Sequence, residues 1–221
     1  CTKLQGANLA EEDASILSEA MYRYADLCDL AGGKENEAKA TATIAKLAEL
    51  FPNDFNCQFT YLLRKQLLSH TTSQEDIQNV LKLASNDKSL TTVLMALANH
   101  YMRIGEFDKT LDICSQVMTK LSNTDVSMQS GDILGAYYSA CWCFAETLYK
   151  IDQKSDAIKE YKDLAKTLEH DMTGEVNEVL LGVQTDMLFR VYEALAKAFT
   201  ESDAKESERY IQLYMNLIEN N

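Results

Sequence analysis

The sequence contains one proline and eight glycines in 221 residues. Proline interrupts helices, whereas β-proteins need glycine and proline at frequent turns, so this scarcity argues against an all-β fold. Alanine, leucine, glutamate and lysine, which favour helices, recur along the whole chain. The composition therefore predicts an all-α protein.

Long apolar runs and a net positive charge are also absent. No stretch approaches the ~20 apolar residues that span a bilayer, so we predict no transmembrane segment. The formal net charge is −13, and a surface of this sign repels phosphate groups, which makes nucleic acids and anionic membranes poor partners. The chain starts at Cys1 without an initiator methionine or a signal peptide, which we interpret as a mature chain or an excised segment.

Motifs of enzymes and of metal sites are missing as well. The chain has no C-x-x-C, H-E-x-x-H or G-x-S-x-G motif and no glycine-rich phosphate loop. The three histidines, His70, His100 and His170, are far apart in the sequence. Cys141 and Cys143 are two residues apart, so on a helix they point in different directions and cannot bind one metal ion together. We expect a non-enzymatic protein without metal or cofactor, whose internal cysteines fill the core.

Apolar residues recur at intervals of three and four and predict helices over most of the chain. The predicted helices are 11–30, 35–50, 55–68, 74–84, two within 90–121 that meet at Gly105, 135–151, 154–168, 175–199 and 204–218. Residues 122–132 are predicted to form a polar linker. The predicted buried stripe of the first helix is Ile16, Leu17, Ala20, Tyr24 and Leu27.

The central stretch 90–121 has a distinctive order of residues. Leu97-Ala98 and Tyr101 precede Gly105-x-Phe107, and spaced apolar residues follow in the second helix. This order resembles a tetratricopeptide repeat. The resemblance implies a single domain over 11–221, a right-handed α-solenoid of about five antiparallel helix pairs, after a loose lead-in at 1–10. The alternative is an irregular helical bundle.

Tetratricopeptide repeats bind partners in a concave groove that the first helix of each pair lines. Matching the pattern to residues 91–151 implies a groove formed by Met95, Asn99, Met102, Arg103, Trp142, Glu146 and Tyr149. For the only tryptophan, Trp142, the alternative is packing between neighbouring helix pairs.

The resemblance also bears on the chemistry of the partner. Chaperone-binding members of the family hold a peptide carboxylate with basic residues, but Met95 stands where such a lysine belongs. Asp26 and Asp29 of the first pair would repel a carboxylate. A peptide or partner protein that is basic or apolar therefore fits better than an acidic one.

Two hypotheses about the biological role remain open. The segments YEALAKAF and SERYIQLYMNLIEN are similar to the closing repeats of tetratricopeptide sensor regions in bacterial signalling proteins, which implies a sensor region or an adaptor. Alternatively, a mature bacterial lipoprotein begins with a lipidated cysteine, so Cys1 would indicate an envelope lipoprotein that binds a small ligand or assembles a complex. The unpaired internal cysteines favour a reducing compartment instead. The predicted location is the cell envelope if Cys1 is lipidated and the cytoplasm otherwise.

Overall fold

The computed structural model describes residues 11–69, 73–122, 131–172, 178–200 and 202–219. Within these ranges the regular secondary structure consists of ten helices and includes no strand. The helices are α1 (Glu11–Ala31), α2 (Lys34–Leu50), α3 (Phe55–Ser69), α4 (Gln74–Leu83), α5 (Asp87–Ile104), α6 (Phe107–Ser122), α7 (Gly131–Lys150), α8 (Lys154–Asp171), α9 (Glu178–Phe199) and α10 (Ala204–Glu219). The all-α prediction is confirmed.

The residues that end the helices are those that the sequence indicates. Gly32 and Gly33 follow α1 with φ angles of 67° and 84°, and Gly105 follows α5 with a φ of 83°. These left-handed conformations are costly for residues with a Cβ atom. Asn86 caps the start of α5, since its side chain accepts a hydrogen bond of 2.8 Å from the backbone N–H of Ser89. The backbone freedom of these glycines and the hydrogen bond from the Asn86 cap therefore set these helix boundaries.

The polar linker predicted at 122–132 is too long at both ends. Ser122 is the last residue of α6, and α7 begins at Gly131. The remaining residues of that linker, 123–130, lie outside the described residues, as do 1–10 and the predicted start of α9 at 175. The polar composition of these residues therefore predicted the end of α6 and the start of α7 incorrectly.

The chain divides into two compact units, residues 1–85 and 86–221. In unit 1, α1 packs against α2, α2 against α3, and α3 against α4. The contact between α1 and α2 is built from small and branched residues, with Ala25 and Cys28 facing Ala40 and Ile44. One domain over 11–221 stays a prediction.

The predicted buried stripe of α1 is wrong. Ile16 and Leu27 are 63% and 64% exposed, and Tyr24 is also exposed. The side chains that α1 buries are Ala25 and Cys28, which lie on a different face of the helix. Small side chains let two helix backbones approach closely, and this close approach selects the face that packs.

In unit 2 each helix from α5 to α10 packs against the next one in the sequence. In addition, α5 contacts α7, and α7 contacts α9. The core is largest around α7, α8 and α9, where Tyr138, Tyr161, Leu168, Val191 and Leu195 are fully buried. The first helices of the three pairs α5–α6, α7–α8 and α9–α10 therefore lie side by side.

Candidate functional site

A stripe of half-exposed side chains runs along α7, the central helix of unit 2. Trp142, Glu146 and Tyr149 are four and three residues apart, so they share one face of the helix. We call these three residues the aromatic stripe. They are three of the seven residues that the sequence assigns to the groove, and the structure brings them together.

The neighbouring helix α8 fixes two residues of the aromatic stripe through Tyr161. The ring centroids of Trp142 and Tyr161 are 5.4 Å apart, and the Tyr161 hydroxyl donates a hydrogen bond of 2.6 Å to Glu146 Oε1. Burial, and then the bond to Glu146, raise the pKa of Tyr161 well above its usual value, so the hydroxyl keeps its proton. Trp142 thus packs partly against the core and leaves only part of its ring exposed.

The predicted groove residues of α5 fall into two groups. Asn99 and Arg103 are exposed and lie four residues apart on one face. Met95 is only 8% exposed and contributes to the core instead. Met102 is half-buried, and its Sδ atom lies 3.9 Å from Cys143 Sγ of α7. Of the four predicted groove residues on α5, Asn99 and Arg103 are therefore the two that are exposed.

Helix α9 adds a charged residue that the sequence analysis missed. Lys197 forms an ion pair of 2.6 Å with Glu193. The pKa of Lys197 is raised, chiefly by its hydrogen bond to Glu193 and in smaller part by Glu146 of the aromatic stripe. Lys197 therefore lies within electrostatic range of Glu146. Matching the repeat pattern to the last helix pair as well would have drawn attention to this position.

Unit 1 contains two open cavities that share Arg64 as a lining residue. Their volumes are about 580 and 780 Å³. The Arg64 guanidinium donates two hydrogen bonds of 2.7 Å to the carboxylate of Asp29, and a third of 3.1 Å to Thr41. The hydrogen bond from Arg64 holds the pKa of Asp29 below its usual range. The positive charge of Arg64 thus balances the negative charge of Asp29. This weakens the predicted repulsion between Asp29 and a carboxylate of a partner.

The structure describes two of the three histidines that the sequence analysis considered for metal binding, and it does not describe Cys1. Among the described residues, no group of three or more His, Cys, Asp or Glu side chains is placed to hold a metal ion. His100 is buried beside Arg103, with 3.3 Å between their side chains, and His170 is exposed beside Asp171. His70 and Cys1 lie outside the described residues, so lipidation of Cys1 stays a prediction. No helix in the described ranges has the length and apolar character to span a membrane.

Comparison with known proteins leaves the family of the chain open. No family model matches the chain, and neither a curated protein nor a solved structure matches it. The resemblance to tetratricopeptide repeats rests on the residues of the chain alone.

Proposed function

We propose that the protein is a non-enzymatic scaffold, similar to tetratricopeptide repeats, that binds a peptide or a partner protein on unit 2. The proposed binding face comprises the aromatic stripe, Asn99 and Arg103 of α5, and Lys197 of α9. The contacts of α5 with α7 and of α7 with α9 support this arrangement, because they align the first helices of the three pairs as a solenoid requires.

The aromatic stripe is the observation that carries the proposal. Trp142 and Tyr149 are half-exposed on the helix with the most neighbours in unit 2, where the backbone is held from several sides. Large aromatic side chains that are already held in place lose little conformational entropy on binding, and tryptophan and tyrosine are enriched among residues that dominate binding energy. A rigid aromatic surface of this kind suits an extended peptide or one face of a partner helix.

The charges favour a basic or apolar partner. The chain carries a formal net charge of −13, which attracts cationic partners over a distance. On the binding face Glu146 supplies a carboxylate, which accepts the hydrogen bond of Tyr161, and Lys197 already pairs with Glu193. The resemblance of the C-terminal pair to bacterial sensor regions extends the proposal to a signalling adaptor.

Peptide display against the full chain tests this function, with peptides grouped as basic, apolar and acidic. Trp142 is the only tryptophan, so its fluorescence reports binding to the wild-type protein directly. Calorimetry then measures affinity for the wild type and for Trp142→Ala, which lacks the fluorophore. We expect basic or apolar peptides to be selected, and Trp142→Ala to weaken their binding at least ~30-fold.

Phe144→Ala is the matched control, because Phe144 is a half-buried aromatic residue of α7 outside the aromatic stripe. It should lower the melting temperature and leave the affinity of the folded protein unchanged. Arg103→Glu should leave basic and apolar peptides unaffected. Selection of acidic peptides that lose affinity with Arg103→Glu would contradict the proposed partner, and equal losses for Trp142→Ala and Phe144→Ala would contradict the proposed face.

A further inference from the structure

Helix α1 of unit 1 exposes a row of large apolar side chains. Ile16, Leu27 and Leu30 are 63%, 64% and 83% exposed. Their spacing places them on one face of the helix, whereas Ala25 and Cys28, which pack against α2, lie on a different face. We call Ile16, Leu27 and Leu30 the exposed α1 stripe. Contiguous exposed apolar side chains are typical of a surface that binds a partner.

The helix that carries the exposed α1 stripe is acidic. Residues 11–31 include six acidic residues and one basic residue. Asp13 and Asp26 are exposed, and within the described part of the chain neither of them forms an ion pair. A surface that covers α1 should therefore combine an apolar floor with basic residues at its edge.

Unit 1 contains a groove with these properties between α2 and α3. It is the open cavity of about 780 Å³. Ala38, Ala42 and Ala45 of α2 and Tyr61 of α3 form its apolar lining. Small side chains permit the close approach of another helix. The lining residues of α2 extend from Lys34 to Ala45, a length of about 16 Å, which matches about three turns of a docked helix. We call this cavity the α2–α3 groove.

The charged residues that line the α2–α3 groove are mostly basic. They are Lys34, Arg64 and Lys65, with Glu37 as the single acidic residue in the lining. In the whole chain, by contrast, 34 acidic residues outnumber 21 basic ones. Arg64 and Lys65 each pair with one carboxylate outside the groove, whereas Lys34 forms no ion pair among the described residues. Lys34 is therefore available to a carboxylate of a docked helix.

We propose that α1 of one copy of the chain docks in the α2–α3 groove of a second copy. The exposed α1 stripe then covers the alanines of the groove, and the acidic edge of α1 meets its basic residues. Contact between α1 and α1 is disfavoured, because it brings the acidic residues of both copies together.

The symmetry of this contact favours a dimer. The two surfaces are different, and each copy carries both of them, so two copies form the contact twice and close the assembly. Because both surfaces belong to unit 1, the dimer is independent of the binding face that we propose on unit 2.

Sedimentation velocity of the full chain over a range of concentrations tests the proposal. We expect a reversible dimer with twice the 24.9 kDa mass of one chain. The dimer should weaken at high salt, because salt screens the charges across the contact. Leu27→Glu/Leu30→Glu removes two apolar contacts and adds negative charge, so it should weaken dimerisation at least ~100-fold. Ala42→Glu places a larger acidic side chain in the groove and should also give a monomer.

A mixture of these two variants identifies which surfaces meet. Leu27→Glu/Leu30→Glu keeps an intact groove, and Ala42→Glu keeps an intact α1, so one of the two contacts can form between them. We expect the mixture to form a heterodimer, weaker than the wild-type dimer, at concentrations at which each variant alone is monomeric.

Ile218→Glu is the matched control, because Ile218 of α10 is 49% exposed and belongs to neither surface. This variant should dimerise like the wild type, and circular dichroism establishes that every variant is folded. A wild type that stays monomeric at all concentrations, or that grows beyond a dimer, overturns the proposal. So does an Ala42→Glu variant that dimerises like the wild type, which would indicate contact between α1 and α1, or a mixture of the two variants that does not associate.

Discussion

Replacing Tyr138 with phenylalanine should destabilise unit 2 far more than the loss of one oxygen atom suggests. Tyr138 of α7 is fully buried, and its hydroxyl donates a hydrogen bond of 2.7 Å to Asp171 Oδ2 at the end of α8. The same oxygen accepts a hydrogen bond of 3.1 Å from Gln184 Nε2 of α9. One hydroxyl therefore connects three helices.

The magnitude follows from what Tyr138→Phe leaves behind. The ring remains, so no cavity forms. The lost bond to the Asp171 carboxylate stabilises the fold by about 1.5–3 kcal/mol, and the lower end applies because Asp171 is 17% exposed and can recruit water. Gln184 is buried, and its amide group loses its hydrogen-bond acceptor, which costs about 1–3 kcal/mol more. We expect a total loss of about 3 kcal/mol.

Urea denaturation followed by circular dichroism measures this loss, and the second variant Tyr138→Phe/Gln184→Met isolates its cause. Gln184 Oε1 already lacks a partner among the described residues, so replacing Gln184 removes two poorly satisfied groups at once. The double variant should therefore be about 1–2 kcal/mol more stable than Tyr138→Phe alone. A loss below about 1 kcal/mol for Tyr138→Phe, or a double variant that is less stable than the single one, would refute the reasoning.

Three further measurements test other parts of the structure. Burial raises the pKa of Tyr137 to about 12, above its unfolded value near 10, so its contribution to stability is complete below pH 10 and is lost as the pH rises towards 12. The phenolate absorbance that Tyr137→Phe removes should therefore develop together with the loss of circular dichroism, and its development near pH 10 in protein that is still folded would contradict this. Arg64→Ala should destabilise unit 1 by about 1 kcal/mol at pH 7. Because the pKa of Asp29 is lowered, the difference should shrink as the pH falls through that pKa, and a difference that is independent of pH would argue against the pair. Gly105→Ala should cost about 1 kcal/mol because φ is positive, whereas Gly182→Ala, in a helix with open space around it, should stabilise by about 0.5–1 kcal/mol in thermal melts; equal effects would exclude the backbone explanation.

Helix positions could be predicted from the sequence because their signals are local. Gly105 needs a left-handed conformation and Pro52 cannot continue a helix, so each marks an end without knowledge of the rest of the fold. The buried stripe of α2 is equally local, since Ala40, Ile44 and Leu47 repeat at helical spacing and all three are buried. Local chemistry and helical periodicity are sufficient for both predictions.

The packed face of α1 could not be predicted in this way. Two faces of α1 contain apolar residues, one with Ile16 and Leu27 and the other with Ala25 and Cys28. Hydrophobicity favours the larger side chains, but in unit 1 the helix packs against α2, and the small residues permit the closer approach. Shape complementarity between two particular helices decides the face, and a single periodic pattern contains no information about the second helix.

In the candidate site, too, the spacing of residues along one helix could be predicted from the sequence, whereas the contacts between helices could not. The spacing of Trp142, Glu146 and Tyr149 is visible in the sequence, and the structure places them on one face. The contacts of Tyr161 with Trp142 and with Glu146 join residues on different helices. These contacts depend on the rotation of each helix about its own axis, which periodicity leaves undetermined.

In unit 2, hydrogen bonds from buried tyrosines help to fix the rotation of the helices about their axes. Three tyrosines each donate to a carboxylate on an adjacent helix: Tyr138 to Asp171, Tyr161 to Glu146 and Tyr192 to Glu169. A leucine or phenylalanine in the same place would pack over a range of helix rotations, whereas a hydrogen bond is satisfied only within a narrow range of distance and angle. Each pair therefore restricts how α7, α8 and α9 turn relative to one another. Because Glu146 belongs to the aromatic stripe, the bond that orients α8 against α7 also fixes the direction in which Trp142 and Tyr149 face.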